Sequence, residues 1–200
     1  MSLYLRVRAL QRLILVAMTT LVFLAWPGSS LSAMPSPTGA TMVLGVIVAI
    51  AAPIAVGWAC ARGDARFEVN AVRRIGRMDL VYALLVCGPL AAAAAMLHSA
   101  GLADAGLTAA RAMLVYLGLL LLTATLWGWR LAPVTPTLLL LAVAVFGRGA
   151  DIAHAAPWAF IAADEADPLS WGLTAMTLGA GLLFAATVRQ PPPPTSDFER

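Results

Sequence analysis

The chain has 200 residues, of which 61% are hydrophobic and only 12% are charged. Soluble domains average about 45–50% apolar and about 25% charged residues, so this composition predicts a membrane protein with no large soluble domain. All thirteen basic residues are arginine, and the net charge is only +3, which gives no reason to predict nucleic-acid binding. An alanine-rich chain without lysine is typical of a GC-rich bacterial genome.

Six apolar stretches are candidates to cross the hydrocarbon core, which takes roughly 20 residues of helix. In chain order they cover residues 13–34, 39–60, 80–99, 107–127, 131–146 and 169–188. The first contains Pro27-Gly28, and the fifth is the shortest. The sequence therefore predicts an all-α transmembrane domain of six helices over residues 1–190, followed by a disordered proline-rich tail at 191–200.

The positions of the arginines predict the orientation of the chain. With the N-terminus in the cytoplasm, eleven arginines lie on the inner side and only Arg111 and Arg148 on the outer side, which is a strong positive-inside bias. An even number of helices then places both termini in the cytoplasm. Arg111 lies near the outer end of the fourth apolar stretch, where we expect it to snorkel toward lipid head groups.

The first apolar stretch has a second interpretation. Basic residues precede it and small residues follow near Ser32-Ala33, as in a signal peptide. The mature chain would then begin outside and carry five helices, and the arginine distribution fits that topology equally well.

Five arginines lie in the stretch ARGDARFEVNAVRRIGRMD, residues 61–79, between the second and third apolar segments. As a helix from Arg66, it has one side formed by Phe67, Ala71, Val72, Ile75 and Met78 and another by Arg66, Asn70, Arg73 and Arg77. This amphipathic pattern is typical of a helix on anionic lipid, and also of a docking element for a partner protein. Glu68 favours docking, because a carboxylate gains nothing on an anionic surface.

The outer connection 147–170 combines aromatic residues such as Trp158 and Phe160 with the acidic Asp164 and Glu165. It is too apolar for an ordinary solvated loop, so it predicts one or two short helices on, or dipping into, the outer leaflet. The acidic residues fit a solvated loop, and attraction of a cationic substrate is the alternative.

Catalytic patterns are missing from the sequence. It contains no paired-carboxylate catalytic site, no Gly-x-Ser-x-Gly turn and no His-Glu-x-x-His metal pair, and no Asp, Glu or His lies at the middle of a predicted span. Cys60 and Cys87 lie at or within apolar segments and have no metal-site spacing. We therefore expect no catalytic residues, no cofactor and no metal site, and a membrane enzyme is disfavoured.

The layout of these segments resembles the membrane (permease) subunit of type-2 ATP-binding-cassette exporters, and particularly small actinobacterial-type members. The resemblance lies in MSLYLRVRALQR before the first helix, in the connector 61–79, and in GRGADIAHAAPWAFIAADEADPLSW between the last two helices. The stretches ARAMLVYLGLLLLTATLWGWRLAP and SWGLTAMTLGAGLLFAATVR also look like the fourth and sixth helices of such proteins.

The resemblance implies that the connector contacts a separate ATPase subunit and that short outer helices precede the sixth span. The coupling residues would be Arg66, Phe67, Glu68, Arg73, Arg74 and Arg77, and the candidate outer element would contain Trp158, Phe160, Asp164 and Glu165. Because the chain has no Gly-x-x-x-x-Gly-Lys-Ser/Thr loop, ATP hydrolysis would belong to the partner subunit.

Two such chains, or this chain with a related permease, would line a path for a hydrophobic or amphipathic substrate in the bacterial plasma membrane. Gly88-Pro89 in the third helix offers a kink, and the small residues of the sixth helix permit close helix approach; these are Gly172, Ala175, Gly179, Ala180 and Gly181. The alternative is a small membrane scaffold or regulator that binds a partner through the same connector and transports nothing.

Overall fold

Apolar helices make up nearly all of the computed structural model, which describes residues 10–25, 32–33, 42–61, 75–147, 157–163 and 167–187. The helices are α1 (Leu10–Leu24), α2 (Leu44–Val48), α3 (Ala51–Ala61), α4 (Ile75–Ser99), α5 (Gly106–Trp127), α6 (Val134–Phe146) and α7 (Pro168–Thr187), with a 3-10 helix at Pro157–Ala162. Between α1 and α2 the residue pairs Ser32–Ala33 (β1) and Met42–Val43 (β2) form a short antiparallel ladder. The all-helical class is confirmed apart from this ladder.

Four helical stretches are long and apolar enough to cross a membrane: Leu44–Ala61, Met78–Ser99, Gly106–Trp127 and Pro168–Thr187. They correspond to the second, third, fourth and sixth predicted spans. The first and fifth predictions match the shorter apolar helices Ile14–Leu24 and Val134–Phe146. The architecture is consistent with a multi-pass membrane protein, and the full set of six spans stays a prediction.

The shorter lengths have local causes in the sequence. Val134 starts α6 directly after Pro133, whose fixed φ suits a helix start and which has no N–H to donate. Helix α1 ends at Leu24, shortly before Pro27-Gly28, a pair that lies outside the described residues. The predicted tail 191–200 also lies outside them.

Helix α5 is the centre of the described bundle. Sixteen of its twenty-two residues are buried, and it packs against α2, α3, α4, α6, α7 and the 3-10 helix. Helices α4 and α7 cover it and turn large apolar side chains outward; examples are Leu85, Met96, Met176 and Leu183. An apolar helix that is buried all round, surrounded by helices with apolar outer faces, is the arrangement expected for a bundle in lipid.

Helices α5 and α7 cross at a point where both backbones carry glycine. A Cβ atom on Gly118 would lie 2.7 Å from the carbonyl oxygen of Thr177, and one on Gly181 would lie closer still to the carbonyl oxygen of Gly118. Small residues allow this approach because no side chain separates the backbones. The expected close approach is thus confirmed at Gly181, whereas a methyl group on Gly172 or Gly179 would meet no neighbouring atom within 4 Å.

We expect Gly118→Ala to lower the free energy of unfolding by about 1–3 kcal/mol, the usual cost of overpacking, because the methyl group meets a backbone carbonyl that cannot rotate away. The matched control is Gly179→Ala, which points into open space and gains up to about 1 kcal/mol of helix propensity. Thermal unfolding in detergent, followed by circular dichroism, compares the two. Equal losses in both variants would contradict the assigned crossing.

Candidate functional site

The predicted coupling connector lies mostly outside the described residues. Five of its six predicted coupling residues lie outside the described residues, between the end of α3 and the start of α4: Arg66, Phe67, Glu68, Arg73 and Arg74. Arg77 belongs to the first turn of α4. Residues 75–79, the last five of the predicted connector, form the start of the long helix α4, and Asp79 is only 2% exposed.

The candidate outer element is described in part, and its residues have different surroundings. Trp158 is 43% exposed, whereas Phe160 packs against the core. The neighbouring Ala159 and Ile161 are completely buried. Asp164 and Glu165 lie outside the described residues. Pro157–Ala162 forms a short 3-10 segment with a kink at Ala159, and its placement at the outer leaflet stays a prediction.

Arg111 joins this outer segment to the bundle. Its side chain is 0% exposed, so the expectation that it reaches lipid head groups is wrong. Nη1 donates a hydrogen bond to Ser170 Oγ at 2.7 Å, and Nη2 donates one to the carbonyl oxygen of Ala163. The guanidinium also lies 5.9 Å from the ring centre of Trp171, near the outer limit of a cation–π contact. One side chain of α5 therefore contacts both the end of the 3-10 segment and the start of α7.

The start of α7 places the acceptor for Arg111. Asp167 is the N-cap: its carboxylate accepts hydrogen bonds from the backbone N–H of Leu169 at 3.1 Å and of Ser170 at 3.2 Å. Pro168 follows at the first helical position, where its missing N–H costs nothing. The Ser170 hydroxyl donates to the Asp167 carbonyl at 2.8 Å, which turns an oxygen lone pair toward Arg111.

The cost of burying a charge explains why the Arg111 guanidinium has close hydrogen-bond acceptors. Removing a charged group from water costs several kcal/mol. A hydrogen bond from a charged donor returns about 1.5–3 kcal/mol, so the Ser170 and Ala163 contacts offset a large part of this cost. The fork of the guanidinium, which lysine lacks, reaches two acceptors at once.

The contacts in this arrangement hold segments of the chain together. The Ser170 hydroxyl both donates to Asp167 and accepts from Arg111, so it is engaged as a structural group. Within the described part of the chain, no group of three or more His, Cys, Asp or Glu side chains could hold a metal ion. We name the set Arg111, Ala163, Ser170 and Trp171 the outer anchor.

Comparison with known proteins gives no match to a family model, to a curated protein or to a solved structure.

The sequence-based site prediction missed the outer anchor and the buried Asp79. The signal for Arg111 was present, because an arginine inside an apolar span between Ala110 and Ala112 faces the bundle interior more often than lipid. Nothing in the sequence identified its acceptors, since Ala163 and Ser170 are more than fifty residues away.

We expect Ser170→Ala to destabilise the protein by about 1–3 kcal/mol, because it leaves a buried guanidinium N–H without its acceptor. Arg111→Lys removes the forked guanidinium that reaches both acceptors, and we expect a loss of stability at least as large. Ser99→Ala is the matched control: that hydroxyl is exposed and bonds only to Met96 of its own helix. Tryptophan fluorescence during thermal unfolding in detergent measures all three. A Ser170→Ala variant as stable as Ser99→Ala would contradict the anchor.

Proposed function

We propose that the chain is the permease subunit of an ATP-binding-cassette exporter in the bacterial plasma membrane. It crosses the membrane six times with both termini in the cytoplasm. It acts as a homodimer, or as a heterodimer with a related permease, and a separate ATPase subunit supplies the energy.

The observation that carries this proposal is the folded outer segment between α6 and α7. Residues Ala159 and Ile161 are completely buried, and Arg111 binds the carbonyl of Ala163. An ordinary surface loop would keep its backbone in water. The exporter family that the sequence resembles has short outer helices at this place, before the last membrane helix. The agreement in position supports the assignment.

The packing of the helices beside the connector supports a coupling role. Helix α3 ends at Ala61 and α4 begins at Ile75, and both pack against the central α5. A push on the chain between them therefore displaces two helices against α5 together. Such a rigid-body shift changes the side to which a path between two permease subunits opens.

The polarity of the described interior favours a hydrophobic or amphipathic substrate. Among the described residues, the buried charged side chains are Asp79 and Arg111, and each lies within about two turns of the start of its helix. Ion- or proton-coupled transport needs titratable groups deep within the bundle. An apolar interior suits a lipid-like molecule, a peptide or a drug.

The decisive experiment is purification of the tagged chain from its native host in a mild detergent. We expect an ATPase with a phosphate-binding loop to copurify and to hydrolyse ATP. Arg73→Glu combined with Arg77→Glu reverses two charges in the coupling region, so we expect the ATPase to be lost or its turnover to fall.

The matched control is Arg130→Glu, which reverses an exposed arginine in the turn between α5 and α6. It should leave the copurified ATPase and its turnover unchanged. If wild-type protein brings down no ATPase, or if the double variant behaves like the control, the exporter assignment fails and the scaffold alternative takes its place.

A further inference from the structure

The second membrane stretch is not one continuous helix. Leu44–Ala61 has the length and apolarity of a single span, but α2 ends at Val48 and α3 begins at Ala51. Ala49 and Ile50 form a turn between them, and both are buried, at 0% and 8% exposure. A break inside a lipid-embedded segment needs partners for the backbone groups that it frees.

Pro53 accounts for the position of the break. A proline has no N–H for the carbonyl four residues back, here Ala49, and its ring clashes with that carbonyl. The hydrogen bonds change at the same place: Ala49 N–H donates to Gly45 at 3.0 Å, but Ile50 N–H donates to Ile47 at 3.4 Å, three residues back. The carbonyl of Val46, four residues before Ile50, therefore does not accept the helical hydrogen bond from the Ile50 N–H.

Tyr116 supplies the donor that this carbonyl requires. The hydroxyl of Tyr116, on the central helix α5, donates to the Val46 oxygen at 3.4 Å. Tyr116 and Val46 are 0% and 1% exposed, so water does not compete. At this length the bond is weak, and the Ile50 N–H is close enough in the chain to replace it.

The two halves of the broken helix pack against different neighbours. A Cβ atom on Gly45 would lie 2.9 Å from Cβ of Ala105, in the turn that precedes α5. A Cβ atom on Gly57 would lie 3.0 Å from Leu120 and 3.1 Å from Pro133. Helix α2 is therefore fitted to the start of α5, whereas α3 is fitted further along α5 and to the turn before α6.

We propose that Ala49–Ile50 is a hinge latched by Tyr116. In the latched state the Val46 carbonyl accepts from Tyr116, and α3 rests on Leu120 and Pro133. In the released state the same carbonyl accepts from the Ile50 N–H, the helix straightens, and α3 moves off those neighbours. The Val46 carbonyl has a donor in both arrangements, so neither leaves it without a hydrogen bond, and the joint is a two-state element. The hinge needs no ATPase, so it is independent of the proposed function.

Two native thiols report on the hinge. Cys60, at the far end of α3, is 3% exposed, and Cys87, on α4, is 0% exposed. The full chain in phosphatidylcholine–phosphatidylglycerol nanodiscs is treated with N-ethylmaleimide, and modification of each thiol is followed by mass spectrometry. We expect Tyr116→Phe to raise the Cys60 rate roughly threefold, the effect of losing one weak buried hydrogen bond, and to leave Cys87 unchanged.

The matched control is Thr123→Val, which removes from the same helix a hydroxyl that bonds Thr135 at 2.6 Å. It should leave the Cys60 rate at the wild-type value. Pro53→Ala removes the cause of the break and favours the straight helix, so it should also raise the Cys60 rate alone.

An unchanged Cys60 rate in Tyr116→Phe overturns the latch, as does an equal rise in Thr123→Val. If Tyr116→Phe raises both thiol rates together, its fold is generally loosened and Pro53→Ala decides. A Pro53→Ala variant that leaves Cys60 unchanged, or that also raises both rates, then overturns the hinge.

Discussion

Hydrogen bonding of the few polar side chains on α5 is the constraint on which the described bundle depends. Lipid is as apolar as the helix surfaces, so burial of leucine and alanine alone does little to choose one helix arrangement over another. Arg111, Tyr116 and Thr123 each form a hydrogen bond with a different neighbour: the start of α7, the broken second stretch and α6. They lie at successive levels of one helix, and together they fix which face of α5 meets each partner.

The bonds made by Arg111 and Tyr116 differ in strength, so the contacts at the two levels of α5 differ in how easily they break. The Arg111 contacts involve a charge and two acceptors, one of them part of a capped helix start, so the first two turns of α5 are firmly joined to α7. The Tyr116 bond is a single neutral bond of 3.4 Å at a helix break. Charged hydrogen bonds are roughly twice as strong as neutral ones. A displacement of the bundle therefore breaks the Tyr116 contact before the outer anchor.

Hydrophobic runs predicted the third, fourth and sixth helices closely, because a run of apolar residues needs no partner to be recognised. The missed features all depend on partners distant in the chain. Position alone assigned Arg111 to lipid, whereas its side chain is buried where it contacts α7 and the end of the 3-10 segment. Gly172 and Gly181 are both glycines of α7 and look alike in the sequence, but the register of α7 places only Gly181 against Gly118. The break before Pro53 had a local signal, yet the donor that makes it tolerable comes from Tyr116, seventy residues beyond Val46.

The helices on either side of the connector differ in continuity. Helix α4 runs unbroken from Ile75 to Ser99 through Gly88-Pro89, so the kink expected there does not divide it. The second stretch is divided at Ala49–Ile50, and its second half, α3, leads into the connector. On the proposed function, a push from an ATPase would tilt α4 as a whole, whereas α3 would pivot and α2 would stay against Ala105. On that proposal, motion that enters through the connector stops at the joint beside Tyr116, rather than at Gly88-Pro89, and does not reach the outer anchor.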